Sequence, residues 1–404
     1  MGRSVPERGV TGAVPLACVL GGMDIVAPLA MAGIPCVVSV GRTDPARFSR
    51  HVRGAIDAMH PWREPEAYVD RLVAWAERQP VRPVLFYPTD GDLLMASRYR
   101  DRLRPAFRMC LPPAELVEDL VDKDRFHALA VRTGLRVPRS FYLRAGAGAA
   151  AGIDPALDDL ALPVVVKPVD RCHAGRLLRH NAKAIRADSA AELADLCRTA
   201  VGSGVDCMVQ ELVPGPETAI ESYHVYVDAE GRTVREFAGA KLRTEPPEFG
   251  ESTAVRITDR ADVLAEGRRV IAAIGLRDGV AKVDFKRAPD GGLWLLEVNP
   301  RFNLWHHPGA AAGANLPALV YADLVGGHRP EPGSIRSGVT WCEVREDLKA
   351  LVRSGRSPWS WLRSVVRAHT RSTGAWSDPM PLLRGLVLPA LRNRLPGPRP
   401  SGSG

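Results

Sequence analysis

The chain has 404 residues, 46% apolar and 25% charged, the proportions of a folded globular protein of two or three domains and not of a disordered or fibrous one. Its seven cysteines are odd in number and scattered with no CxxC pair, which argues against a disulfide framework or a cysteine-ligated zinc site and for a reducing, cytoplasmic setting. The net charge of +8 sits in the tail: from Glu331 onward 12 Lys/Arg stand against 5 Asp/Glu, so the body is nearly neutral and carries no nucleic-acid signature.

Residues 14–40 are apolar enough to suggest a signal peptide or membrane span, but Asp24 lies in their middle and Gly21, Gly22, Pro28, Gly33 and Pro35 punctuate them. The pattern predicts a strand over 14–20, a glycine turn, a helix and a second strand over 36–40. A polar loop, a helix through 68–78, a strand over 84–87, the PTDGD turn at 88–92 and another helix follow. Alternating strands and helices predict a doubly wound, largely parallel sheet over residues 1–115. Ligands bind such sheets at the carboxyl ends of strands, here the turns 21–24 and 89–92.

Helices are predicted from about 114 and over 123–133, then an Ala/Gly-rich connector over 144–163. A strand over 164–167, a cation-rich loop, a helix over 190–201 and a strand over 208–212 lead into a β-rich half with strands at 222–227, 236–242, 280–287 and 293–299. Beyond about 330 the chain changes character, holding four of the eight tryptophans and most of the excess charge. Its segments 360–371 and 382–394 mix Trp, Leu and Val with arginines. Helices docked on the body are the preferred reading, and a membrane-surface helix is the alternative. The end, 392–404, is rich in Pro, Gly and Ser and is expected to be disordered.

The most informative segment is VAKVDFKRAPDGGLWLLEVNPR, 280–301. Asp290-Gly291 predicts a two-residue hairpin turn, because Gly supplies the positive φ such turns need. In that register Asp284 faces Glu297 and Lys282 faces Asn299. One face then carries Lys282, Asp284 and Lys286 with Leu293, Leu295, Glu297 and Asn299, and the other packs Ala281, Val283, Phe285, Trp294, Leu296 and Val298 into core. Two acids opposed at roughly 5 Å repel unless a cation lies between them. Asp284, Glu297 and Asn299 together suit Mg²⁺, a hard ion that prefers carboxylate plus substrate phosphate. The alternative is a solvated face on which Lys282 and Lys286 neutralise the acids.

Glu297-Val298-Asn299-Pro300-Arg301, preceded by the Asp284 strand, resembles the metal-binding end of the ATP-grasp ligases. Asp122-Lys123, Phe126, Gly134-Leu135 and Val137-Pro138 are similar to that family's DK…F…GL.VP pattern. Val165-Val166-Lys167-Pro168 resembles its second nucleotide lysine, and 210–217, QELVPGPE, its adenine hinge. The likeness covers about 116–326 and implies an ATP-grasp domain over 116–330, of two α+β subdomains, a lid over about 120–208 and a base over about 209–330, before a basic helical extension over 331–404.

The resemblance implies MgATP, with Mn²⁺ able to substitute. Lys123 and Lys167 would hold phosphates, Glu211 with the backbone of Leu212 and Val213 would bind adenine, and Glu217 would take the ribose hydroxyls. Asp284, Glu297 and Asn299 would coordinate the metal, and Arg301 would stabilise the phosphoryl group and tetrahedral intermediate. The glycine-rich loop common in the family is replaced here by 169–176, with one glycine, so Arg176 or Lys183 would reach the phosphates instead. That loop and the 241–250 stretch KLRTEPPEFG resemble the D-aspartate ligases and related carboxylate–amine ligases, where Lys241 and Arg243 would hold the acceptor carboxylate or acyl phosphate. His306 and His307 lack partners for zinc and are expected to serve a substrate or structural role.

The expected reaction is ATP-dependent amide or peptide formation from small carboxylate and amine substrates through an acyl phosphate, in a protein compatible with a homodimer. His224, His306 or an acid would be the base for the amine. Bicarbonate as the acceptor, giving a carboxylase or carbamoyl-forming enzyme, and a non-catalytic nucleotide-binding module are the alternatives.

Overall fold

The computed structural model describes residues 13–145, 157, 159–169, 177, 184–331, 333–354, 357–373 and 377–387. The first unit is a parallel sheet of β1 (Ala17–Val19), β2 (Cys36–Val40), β3 (Val52–Asp57) and β4 (Val84–Phe86) in the order β3-β2-β1-β4. β3 replaces part of the loop expected after β2. It is an edge strand whose register skips Arg53 and which is exposed at alternate positions, so it lacks the apolar run that marks β1 and β2. The chain leaves β1 toward β2 on one side and returns to β4 on the other, which makes the β1/β4 junction the point where strand order reverses. Gly21 is required there: a Cβ would lie 2.5 Å from Pro88 Cγ, so the loops after β1 and β4 touch.

The second unit is the antiparallel sheet β5 (Ser140–Leu143), β6 (Val164–Pro168), β7 (Ile185–Ala187) and β8 (Cys207–Glu211), ordered β5-β8-β6-β7, with the helix Ala190–Gly202 on its core. The helix Lys123–Arg132 precedes it. Asp122 caps that helix by accepting from the backbone N–H groups of Asp124 and Arg125, which sets Lys123 on the first helical turn.

The third unit is a seven-stranded sheet ordered β13-β12-β9-β10-β11-β14-β15. Its strands are β9 (Ile220–Val227), β10 (Thr233–Glu245), β11 (Glu251–Thr258), β12 (Gly279–Arg287), β13 (Leu293–Asn299), β14 (Thr340–Cys342) and β15 (Thr370–Arg371). The extension is thus not wholly helical, since β14 pairs antiparallel with β11 and continues the sheet. The helices Val344–Ser354 and Pro358–Arg367 follow it, and Ser49 Oγ donates to Asp378 Oδ2 at 2.5 Å, tying the extension to the first unit. Trp359, Val352 and Val366 are exposed. Among the described residues no helix is long and apolar enough to cross a membrane. Part of the 144–163 connector and the expected disordered end lie outside the described residues.

His224 of β9 and His306 are fully buried beside Phe237, Trp305 and Phe302, and among the described residues no ring nitrogen of either has a hydrogen-bond partner. Burial holds both imidazoles neutral, His306 down to about 3 and His224 well below its ordinary value. Their contribution to stability is therefore complete above the unfolded value near 6.5 and is lost as pH falls toward the folded value. Urea unfolding is expected to lose roughly 1.4 kcal/mol per pH unit for each histidine below pH ~6. In His306→Leu that slope should drop by one proton; an unchanged slope would show that these rings do not govern acid stability.

Candidate active site

The hairpin β12–β13 places the acids. Asp284 pairs with Glu297 and Lys282 with Asn299, as the sequence predicts, but by a different route. The turn holds three residues, not two: Gly291 N–H donates to Ala288 O, Ala288 N–H donates to Gly292 O, and Gly291 takes φ +85°. Phe285 therefore opposes Leu295, and a bulge at Leu296 restores the Asp284–Glu297 pairing. Between turn and bulge the faces exchange. Leu295 joins Phe285 and Val283 in the core, while Trp294 comes out under the Arg136 guanidinium, 4.1 Å from its ring centre.

Asp284 Oδ1 accepts from Ser222 Oγ on β9, and Asp284 Oδ2 lies 2.5 Å from Lys282 Nζ, which is also 3.8 Å from Glu297 Oε1. Asn299 Nδ2 donates to Glu297 Oε1 at 2.9 Å. Burial disfavours the Lys282 ammonium, yet the Asp284 and Glu297 charges outweigh it and raise its pKa. The two carboxylates thus converge on one cationic centre, with the Asn299 amide alongside. That all-oxygen set fits a hard divalent ion. Among the described residues no three His, Cys, Asp or Glu side chains are placed to hold a metal by themselves, so phosphate or water oxygens would complete the shell.

A cleft of about 1320 Å³ runs between the three units. It is lined by Asp284, Glu297 and Asn299, and by Lys123 and Lys167 from the second unit. Lys123 Nζ donates to Pro168 O. Lys167 Nζ donates to Gln210 Oε1 at 2.7 Å, while Gln210 Nε2 donates to Ser140 Oγ at 2.9 Å. Burial lowers the Lys167 pKa, opposed by the charges of Glu297 and Glu217, so this ammonium stands in the field of the acids opposite. Gln210 was not among the expected site residues; its place beside Glu211 in the hinge strand is the only sequence signal.

Glu211, Leu212, Val213 and Glu217 also line the cleft. Glu211 Oε1 accepts from Ala161 N–H at 3.0 Å, and Leu212 N–H donates to Pro163 O at 3.0 Å. Glu217 Oε1 is 3.5 Å from Lys286 Nζ. Arg176 and Lys183 lie outside the described residues.

Lys241 lines the cleft and Arg243 does not. Simple alternation would put both on one face, but a bulge between them sets Lys241 opposite Val255 and Arg243 opposite Ala254, so they project to opposite faces. Arg243 instead makes a two-pronged contact with buried Asp347 at 2.6 and 2.7 Å. Arg301 bonds Asp90, donates to Pro88 O at 3.2 Å and to Asn299 Oδ1 at 3.2 Å, joining the hairpin to the first unit. Asp24 and Asp90 bring the ends of β1 and β4 to the cleft wall, as the strand-end argument predicts. His224 and His306 do not reach it, which removes both as bases for an amine. His307 Nδ1 lies 3.8 Å from Asp24 Oδ1.

No family model matches the chain, and no curated protein matches its sequence. Solved structures match its fold. The ADP complex of an N5-carboxyaminoimidazole ribonucleotide synthetase superposes with a TM-score of 0.62 at 14% identity, covering 85% of this chain and 86% of the other. An L-amino acid ligase from Bacillus licheniformis gives 0.57 at 17% identity over 81% and 78%. Biotin carboxylase from Campylobacter jejuni, as an ATP complex, gives 0.58 at 14% identity over 81% and 74%.

Proposed function

We propose that this chain, which has the ATP-grasp fold, is an ATP-dependent carboxylate–amine ligase that joins small, amino-acid-like substrates through an acyl phosphate. The observation that carries this reading is the pairing across one cleft of a half-buried cationic wall, Lys167 held by Gln210, with the oxygen set of Asp284, Glu297 and Asn299. A triphosphate needs both: ammonium groups against its charge and carboxylates that share a divalent ion with it. The ADP- and ATP-bound neighbours of the same fold support it.

Asp284, Glu297 and Asn299 would hold Mg²⁺, which when bound neutralises charge on the phosphates. Lys123 and Lys167 bind the phosphates from the opposite side, and 211–213 with Glu217 take the nucleoside. The carboxylate oxygen of one substrate attacks the γ-phosphorus and ADP leaves; the amine then attacks the acyl carbon, phosphate leaves, and an amide remains. A carboxylate is already a competent nucleophile, so the protein's task is positioning and charge stabilisation. Arg301, aimed by Asp90 and Pro88 O, stabilises the transferred phosphoryl group and the tetrahedral oxyanion. Lys241 binds the acyl phosphate or acceptor carboxylate; Arg243 has no part in this chemistry.

Phosphate release from ATP should be measured with amino acids offered singly and in pairs, and with bicarbonate alone. Release that requires a carboxylate and an amine together, with one amide per phosphate, is expected. Stimulation by bicarbonate alone would instead support a carboxylase, and ATP binding without turnover under every condition would leave a nucleotide-binding module.

A further inference from the structure

Where the first unit meets the C-terminal extension, the cleft wall carries two carboxylates, Asp24 and Glu343, to neither of which a Lys or Arg is paired among the described residues. Asp24 stands in the first turn of the helix Met23–Met31, at the carboxyl end of β1. Its Oδ1 accepts from Trp341 Nε1 at 3.0 Å. Two residues beyond Trp341, just past β14, Glu343 accepts from Ser372 Oγ at 3.2 Å and from Glu346 N–H. All these donors are neutral, so neither carboxylate is neutralised by them. Burial raises the Glu343 pKa, and the charges of Glu346 and Asp24 raise it further, the signature of acids held close.

A second, independent feature lies behind Asp24, just under the cleft wall. His307 is only 8% exposed, and among the described residues its Nδ1 has no hydrogen-bond partner while facing Asp24 Oδ1 at 3.8 Å. A buried imidazole nitrogen without a partner is costly unless a ligand supplies one. With its proton on Nε2, this nitrogen accepts. Two carboxylates and one acceptor nitrogen match a primary ammonium, which has three donors and a single positive charge.

We propose that Asp24, Glu343 and His307 form a subsite for the primary ammonium group of a substrate. The proposal rests on the ligase reading for the word substrate, and names its class: an alkylammonium compound, with Trp341 and Leu304 lining the wall beside it for the carbon chain. That ammonium is either the nitrogen to be acylated, bound before it loses its proton, or a non-reacting group on the carboxylate donor.

The test needs no turnover, so it stands or falls apart from the ligase assay. Thermal unfolding of the full chain is followed with L-lysine, the other proteinogenic amino acids and 1,5-diaminopentane at millimolar concentration, against L-lactate and 1,5-pentanediol as uncharged-end counterparts. One or more ammonium compounds should raise the melting temperature where their hydroxy counterparts do not. In Asp24→Asn and Glu343→Gln the apparent Kd of that compound should rise about 10-fold, and Asp24→Glu should keep part of the shift. No shift with any ammonium compound, equal shifts with hydroxy counterparts, or undiminished shifts in both variants would overturn the subsite. Where turnover is seen, hydroxylamine separates the two sources. A compound required for hydroxamate formation is the donor, and one that competes with hydroxylamine is the acceptor.

Discussion

Replacing Asp284 and Glu297 together by alanine is expected to lower ATP-dependent phosphate release by about 1000-fold or more, the scale set by removing preorganised charge stabilisation from a phosphoryl-transfer site. These are the two carboxylates that converge on one cationic centre, and what remains is the neutral Asn299. The alanine variant also strands the Lys282 ammonium, whose side chain is only 14% exposed, so lost activity could reflect lost folding. The isosteric pair Asp284→Asn and Glu297→Gln keeps the volume and the acceptor oxygens while removing the charges. It should remain folded by circular dichroism, lose turnover to a similar degree, and require far more Mg²⁺ for any residual rate. Turnover within a few-fold of the unmodified chain in both variants would remove the ligase proposal.

Asp347→Ala is expected to destabilise the protein by about 3–5 kcal/mol, read as the urea midpoint of unfolding. Asp347 is fully buried at the head of the helix Val344–Ser354. Besides the two Arg243 bonds it accepts from Thr253 Oγ1 at 2.8 Å, joining the extension to β10 and β11. Removing it leaves Arg243, 22% exposed, with Ser364 Oγ as its remaining hydrogen-bond partner. Replacing both partners by leucine-sized apolar groups, Arg243→Met with Asp347→Leu, should cost markedly less, because no charge is then left unpaired. If neither variant moves the urea midpoint, the pair contributes nothing measurable and the extension is held by its strand and helix packing instead.

The pairing of Asp284 with Glu297 was legible in the sequence, though by compensating offsets. The turn is one residue longer than Asp290-Gly291 implied, and the bulge at Leu296 takes that residue back. Hairpin turns and alternation are local properties, whereas a bulge is chosen by what each face must bury. Here burying Leu295 beside Phe285 and releasing Trp294 to Arg136 decided it. The same cause separated Lys241 from Arg243: nothing in KLR announces that Leu242 marks a break in the pairing. The edge strands β3, β5 and β7 were unreadable for a related reason. Three to six residues with one exposed side carry too little periodicity to stand apart from loop.

What the sequence determined by itself is the set of chemical groups and their order: the capped lysine at 123, the lysine at 167, the hinge at 210–217 and the acid hairpin with its arginine. These lie in short local patterns whose geometry the backbone dictates within a few residues. Which groups meet across the cleft was decided only by tertiary structure. Gln210 under Lys167, Asp90 on Arg301, Asp347 on Arg243, and Trp341 on Asp24 join residues 43 to more than 300 positions apart. Such contacts follow from how three sheets pack against one another, and the packing is fixed by apolar burial that no single segment encodes.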